Sequence, residues 1–123
     1  MNNILKLVLL IFLSSEIYAQ SSSEKLAQMV AEETNKANAS LSSVNNGVKI
    51  YKSEAIGNMV VHHRQELTKS KVYLKSIKNK YVNSYQQAGC SFIKPLIREG
   101  VIIKSNTYDK NGDLAFSFIV RCN

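Results

Sequence analysis

Apolar side chains recur at helical spacing near the beginning of the chain. Leu26, Met29 and Val30 fall on one side of a helix, among alanines that favour helix formation. The pattern predicts a helix over residues 22–35. Its apolar face is narrow, so this helix needs a partner surface to pack on.

A longer apolar stripe in the second half of the chain predicts the longest helix, over residues 70–88. The stripe consists of residues at helical intervals: Leu74, Ile77, Tyr81 and Tyr85. Gly89 stands where a left-handed residue commonly ends a helix. A short helix is then predicted over residues 91–99, with Pro95 near its first turn, where proline is tolerated.

Strands are predicted between the two longer helices. Residues 48–52 and 59–67 have strand-like sequences, with turn signals at Gly47 and Gly57. Residues 38–44 alternate in a way that permits a further strand. The expected arrangement in this part is an antiparallel meander of two or three strands.

The end of the chain predicts a β-hairpin. Strands over residues 101–108 and 114–122 are joined by Asp-Lys-Asn-Gly, which suits a turn with Gly112 in the left-handed region. Alternate residues of the last strand, ending with Cys122, would face the core. The elements together predict an α+β domain, an antiparallel sheet of four to five strands with helices packed on it. Their order is helix, strands, long helix, short helix, hairpin.

The N-terminus indicates export. Lys6 is followed by an apolar run, residues 7–13, that is too short to span a bilayer, and Ala19 suits a cleavage site. We expect a signal peptide over residues 1–19 and a single domain over residues 20–123, periplasmic or secreted. The signal peptide contains no cysteine, so no lipid anchor is expected, and no other stretch predicts a transmembrane segment.

Cys90 and Cys122 are the two cysteines of the sequence. In an oxidising compartment they most simply form one disulfide, and Cys122 is in phase with the core side of the last strand. The alternative, a reactive thiol, has no histidine or acidic residue beside either cysteine in the sequence to support it.

Sixteen lysines and arginines against nine acidic residues give a net charge of +7. Lys71, Lys75 and Lys78 form a candidate basic surface on the long helix. Such a surface could contact phosphates, anionic lipids or an acidic protein, or it could be simply solvated. An exported protein meets little nucleic acid, so a nucleic-acid partner is not expected.

The sequence contains no recognisable catalytic or metal-binding motif. His62 and His63 are adjacent, so on a regular strand they point to opposite faces and cannot both bind one metal ion. Asp109 and Asp113 belong to the predicted turn, where aspartate is favoured for local hydrogen bonds. We therefore expect no enzyme activity, no metal site and no cofactor.

The C-terminal pattern resembles a known family. Cys90 is followed by Gly100, a strand, a turn with Asn111 and Gly112, and a last strand that closes on Cys122. This order is similar to that of the AspS-type pilotins of type II secretion systems and of related small exported bacterial proteins. Those pilotins are periplasmic α+β domains with a disulfide, and the resemblance covers most of the chain after the signal peptide.

The resemblance implies a non-enzymatic protein-binding module. Such pilotins capture a short helix of the outer-membrane secretin subunit, which implies a groove walled by the first helix, with Leu26, Met29 and Val30. The same three residues could instead simply pack on the sheet. AspS-type pilotins are lipoproteins, so the missing acceptor cysteine implies an unlipidated chaperone or accessory factor, or another use of the fold.

Two other classes of function fit the sequence. One is a soluble periplasmic or secreted inhibitor, such as an immunity protein, or a binder of an anionic envelope component. The other is a small envelope hydrolase, which the lack of a catalytic motif disfavours.

Overall fold

The computed structural model describes residues 21–40, 44–45 and 47–123. The predicted signal peptide, residues 1–19, lies outside the described residues. Within these residues the chain forms three helices and one sheet of five strands.

The helices are α1 (Ser22–Ser40), α2 (Lys71–Ser76) and α3 (Lys78–Arg98). α1 extends beyond the predicted end near residue 35, so the strand expected over residues 38–44 is wrong over its first part. The strands are β1 (Val44–Asn45), β2 (Val48–Ile56), β3 (Met59–Glu66), β4 (Ile102–Tyr108) and β5 (Leu114–Ile119).

The sheet has the strand order β1-β2-β3-β4-β5. The β1–β2, β2–β3 and β4–β5 pairs are antiparallel, whereas β3 pairs with β4 in parallel, for example Val60 with Ile103. The α+β class, the strand number and the packing of helices on the sheet are therefore confirmed. The expectation of a wholly antiparallel sheet is corrected, because α2 and α3 form a crossover that returns the chain to the same end of the sheet.

The core lies between the sheet and the two long helices. α1 contributes four buried apolar residues and α3 contributes Leu96. They pack against Val60 of β3 and Ile103 of β4. The buried residues of α1 are spaced as one apolar stripe, which explains why a helix with a narrow face is stable here: Leu26, Ala27, Val30 and Ala31.

The boundary between the two later helices lies at Ile77 and not at Gly89. Ser70 caps α2, because its Oγ accepts a hydrogen bond from the Tyr73 amide at 3.2 Å. α3 then continues without interruption through Gly89 and Pro95. The sequence predicts a long helix followed by a short one, and the structure has the reverse order: the short α2 comes first and the long α3 follows.

The phase of β5 differs from a regular strand at its start. The register with β4 shifts between Thr107 and Tyr108. As a result Ala115 and Phe116 are both buried, while Leu114 is 47% exposed instead of facing the core. A one-residue irregularity of this kind changes which face a side chain occupies.

The turn between β4 and β5 is organised by the Asp109 carboxylate. Its Oδ1 accepts hydrogen bonds from the amides of Asn111 and Asp113 at 2.8 and 2.9 Å. Gly112 has φ +85°, as the sequence predicts for this turn. Gln65 of β3 donates to the Asp109 carbonyl at 3.0 Å, which ties the turn to the centre of the sheet.

Gly112→Val is expected to lower the free energy of unfolding by about 1–2 kcal/mol, because a β-branched residue resists the left-handed region. Urea denaturation of the purified protein measures the change. Asn111→Ala, an exposed neighbour in the same turn, serves as the control and should have a smaller effect. An unchanged denaturation midpoint for Gly112→Val would contradict this account of the turn.

Cys90 and Cys122 form the predicted disulfide, with Cα atoms 5.6 Å apart. The bond joins the middle of α3 to the segment that follows β5, and it closes a loop with a sequence separation of 32 residues. The α3 helix is thereby fastened to the far edge of the sheet.

Replacing both cysteines by serine is expected to destabilise the protein by about 3–4 kcal/mol, because the unfolded chain regains the entropy that the closed loop removes. Denaturation curves of the double variant and of Ser91→Ala, an exposed neighbour, measure this loss. Equal midpoints for the two variants would show that the disulfide does not limit the stability of the domain.

Candidate functional site

The three residues predicted to wall a groove lie on α1, but they differ in environment. Leu26 and Val30 are 1% and 6% exposed and belong to the core beneath the helix. Met29 is partly exposed. Packing on the sheet, which the sequence left open, therefore accounts for Leu26 and Val30, while Met29 retains surface that a partner could contact.

α1 is held in place by a pair of hydrogen bonds that the sequence does not indicate. The side chain of Asn35 donates to the Ser53 carbonyl at 2.8 Å and accepts from the Ser53 amide at 2.7 Å. The side-chain amide of Asn35 thus takes the place of a neighbouring strand for the backbone of Ser53. Ser53 lies next to the irregularity between Ile50 and Lys52 in β2. The orientation of α1, and with it the position of Met29, depends on this contact.

His62 lies on the helix-covered face of β3, beneath the middle of the domain. Its Nδ1 is 2.5 Å from Ser53 Oγ, so the imidazole and the Asn35 pair meet at the same residue of β2. Burial, and secondarily the neighbouring His63, lowers the pKa of His62 to about 4. The side chain is therefore neutral at physiological pH, and its contact with Ser53 links β3 to β2.

α1 and α3 lie on the same face of the sheet, and Arg64 points toward this face, two residues beyond His62. The guanidinium carbon of Arg64 is 4.8 Å from the centroid of the Tyr81 ring, a cation–π distance. Arg64 Nη2 is also 3.5 Å from Glu66 Oε1. We call the region of Arg64, Glu66, Tyr81 and Tyr85 the polar end of the helix-covered face.

The phenols at the polar end are largely withdrawn from water. Burial raises the pKa of Tyr81 to about 12 and also raises that of Tyr85, and the nearby Arg64 cation opposes both shifts. Tyr81 packs edge-on against Phe116 and Phe118 at 5.4 and 6.2 Å between ring centroids. Aromatic packing thus fixes the two tyrosines on α3.

Three buried polar atoms lie on this face: Arg64 Nε, which has no hydrogen-bond partner among the described residues, and the hydroxyls of Tyr81 and Thr107, which are close enough to interact with each other. Arg64 and Thr107 occupy paired positions on β3 and β4. A region with a cation and two hydroxyls is suited to a polar group rather than to a purely apolar one.

His63 belongs to a separate network on the opposite face of the sheet. Its Nε2 is 2.6 Å from Glu54 Oε1 and its Nδ1 is 2.7 Å from Tyr108 Oη. A carboxylate only accepts, so Nε2 donates to Glu54 and Nδ1 accepts from the Tyr108 hydroxyl in the neutral imidazole. The hydrogen bond from His63, and secondarily the charge of Lys52, lowers the pKa of Glu54.

These residues line a shallow concavity of about 550 Å³, together with Lys52 and Gly112. Both nitrogens of His63 are engaged within the protein, so the network joins β2, β3 and β4 across the sheet. The expectation that His62 and His63 serve different faces is confirmed by their partners. The register of the hairpin at Gly57, which pairs Ser53 with His62, could have revealed these contacts from the sequence.

The candidate basic surface is divided between two helices. Lys71 and Lys75 are exposed on α2, and Lys78 is the first residue of α3, where it is partly buried. Within the described residues no group of three or more histidine, cysteine or acidic side chains could hold a metal ion. No helix in the same part of the chain has the length and hydropathy needed to cross a membrane.

No protein-family model matches the sequence, and no curated protein matches it significantly. Solved structures do match the fold. A Pseudomonas aeruginosa protein described as secreted superposes with a TM-score of 0.63 at 13% identity, over 82% of this chain and 94% of that one.

Pilotins are among the matching structures. The pilotin EpsS of the Vibrio vulnificus type 2 secretion system superposes with a TM-score of 0.53 at 17% identity, over 80% of this chain and 90% of that one. The fold is similar to that of a pilotin. The type II secretion pilotin AspS of Vibrio cholerae gives a TM-score of 0.49 at 15% identity, over 80% and 91% of the chains. The superposition on EpsS confirms, for the fold, the resemblance to pilotins that the sequence predicts.

His62 makes stability depend on pH. Its pKa is lower in the folded protein, about 4, than the ordinary value of 6.5, so the unfolded chain binds the extra proton more readily. Stability is therefore lost as the pH falls from 6.5 toward 4, by about 2 kcal/mol between pH 7 and pH 5.

Thermal denaturation at several pH values measures this dependence. His62→Gln removes the titrating group, and its unfolding free energy should decline less over the same interval. An identical pH dependence for the variant and the unmodified protein would contradict the assignment.

Proposed function

We propose that this chain is an exported, non-enzymatic protein-binding module that captures a helix of a partner, as a pilotin-like chaperone or accessory factor for an outer-membrane secretin or a similar assembly. The observation that carries the proposal is the superposition on EpsS over 90% of that pilotin. The partner helix would belong to a subunit of the assembly. The proposal includes cleavage of the signal peptide after Ala19 and release of residues 20–123 as one domain.

The helix-covered face supports this proposal through its mixture of contacts. Met29 on α1 offers a flexible apolar side chain that adapts to different partners. Arg64 offers a cation at the polar end, where its guanidinium lies over the Tyr81 ring and its Nε has no hydrogen-bond partner among the described residues. An amphipathic helix binds through an apolar stripe with polar groups at its margins, and Met29 and Arg64 are the residues that would contact the two parts of such a helix.

Leu26 and Val30 contribute to the proposed groove indirectly. Their burial fixes α1 on the sheet and thereby sets the height of Met29 above it. A rigid wall costs less conformational entropy on binding than a flexible one, so the core contacts of α1 favour capture.

The expected signal peptide, residues 1–19, contains no cysteine that could accept a lipid, and this bears on what such a module could do. A protein without a lipid can protect or present its partner, but it cannot carry the partner to the outer membrane by its own acyl chains. We therefore propose a soluble accessory role and not a lipidated transport role.

The proposal is tested by affinity purification of the exported protein from an envelope extract of its own organism, followed by mass spectrometry. Enrichment of a secretin or another outer-membrane assembly subunit is expected. Met29→Glu should reduce that enrichment about tenfold or more, because it places a charge against the apolar stripe of the partner.

Gln28→Glu provides the matched control, since it adds the same charge at the exposed neighbouring position of α1. It should leave capture unchanged, and the melting temperatures of both variants establish that each is folded. Capture of a soluble toxin or enzyme as the main partner, or equal effects of the two variants, would contradict the proposal.

A further inference from the structure

α2 lies on the outside of the domain and is attached by a single side chain. Five of its six residues are exposed, and only Leu74 is buried. Leu74 packs against Ala115 and Phe116 of β5. The remainder of the helix is therefore open to contact from outside the domain.

Two large apolar side chains stand at the outermost part of this helix. Val72 is 81% exposed, the highest value among the exposed large hydrophobic residues described, and Tyr73 is 46% exposed. An aliphatic side chain and an adjacent tyrosine at the surface make a small amphipathic contact, because the tyrosine ring is apolar and its hydroxyl is polar.

Lysines surround these two side chains. Lys69 Nζ is 5.1 Å from the centroid of the Tyr73 ring, and Lys71 and Lys75 are exposed on α2 itself. Lys110 is brought to the same place by a 2.9 Å backbone hydrogen bond from its amide to the Lys69 carbonyl. We call this surface the α2 cap: Lys69, Lys71, Val72, Tyr73, Lys75 and Lys110.

The positive charge of the α2 cap is not neutralised by nearby carboxylates. Residues 67–98 contain no aspartate or glutamate. Glu66 is paired with Arg64, and Asp109 is buried in its turn, which leaves Asp113 as the exposed acidic residue near Lys110. None of the four lysines forms an ion pair with any residue that the structure describes.

We propose that the α2 cap binds the surface of an anionic phospholipid bilayer. The lysines approach the lipid phosphates, Val72 inserts at the boundary of the headgroups and acyl chains, and Tyr73 lies at headgroup level. Basic residues around exposed apolar side chains are the combination that holds peripheral proteins on anionic membranes.

The same features disfavour other occupants of the α2 cap. A second copy of this chain would bring lysines against lysines, which repel. A nucleic acid would use the lysines and could stack on Tyr73, but it gives no reason for an aliphatic residue exposed at Val72. A bilayer accounts for the charge and the exposed valine together.

This inference does not depend on the capture of a helix by α1. Binding through α2 would leave Met29 free, since that residue lies on a different helix. It would hold the protein at a membrane reversibly, because a few charges and one or two apolar side chains give a salt-sensitive attachment.

The experiment uses protein recovered from the periplasm of an expression host, with its N-terminus determined by mass spectrometry. The protein is sedimented with vesicles of phosphatidylcholine alone or with about one-third phosphatidylglycerol. Binding is expected only with the anionic vesicles and should weaken as salt is raised.

Two variants separate charge from insertion. Lys71→Gln with Lys75→Gln should lower the partition coefficient about fivefold per charge removed. Val72→Ser keeps the charge and should lower it several-fold. Arg98→Gln with Arg121→Gln removes the same charge from exposed positions outside the α2 cap, and it should leave binding near its original level.

Three results would overturn the proposal. The first is equal binding to neutral and anionic vesicles, and the second is an equal loss in the two double variants, which would indicate diffuse attraction by net charge. The third combines two observations. The protein stays in the supernatant when anionic vesicles are sedimented, and it instead binds a single-stranded oligonucleotide or an acidic protein with an affinity that Val72→Ser does not change.

Discussion

The parallel pairing of β3 with β4 is the contact on which the rest of the structure depends. It joins two parts of the chain. The N-terminal part consists of α1 and the β2–β3 hairpin, and the C-terminal part ends in the β4–β5 hairpin. Parallel neighbours require a crossover, and here the crossover is the pair α2 and α3. The crossover places α3 on the same face of the sheet as α1. The disulfide from Cys90 to Cys122 then joins α3 to the segment that follows β5.

The central pair also separates the polar chemistry of β3 into two faces. His62 and Arg64 lie under the helices, where burial keeps the imidazole neutral and the guanidinium lies over the Tyr81 ring. His63 lies on the other face, where Glu54 and Tyr108 use both of its ring nitrogens. Most of the polar groups that could attract a catalytic interpretation therefore have structural partners. Met29 on α1 and the α2 cap are the exposed surfaces for which we propose binding.

The sequence predicts the features that local patterns determine. The hairpin at residues 109–112, the helix at α1 and the disulfide follow from turn chemistry, apolar spacing and export. The parallel pairing could not be predicted, because it depends on where the crossover returns the chain. The helix boundary was misplaced because glycine inside a helix costs only about 1 kcal/mol. At Gly89 an added Cβ would lie 3.2 Å from Ile93 Cδ1, a tight contact with the end of that side chain. The bidentate contact of Asn35 with Ser53 has no local signal at all.

The most direct test of the binding account is a residue-resolved map of the partner site. Residues 20–123, labelled with ¹⁵N, would be titrated with a helical peptide of an outer-membrane secretin subunit from the same organism, and amide chemical shifts would be followed. The account predicts that the largest changes fall along α1 around Met29 and at the polar end near Arg64, with little change around His63. Shifts confined to the face of His63, or no shifts at saturating peptide, would contradict it.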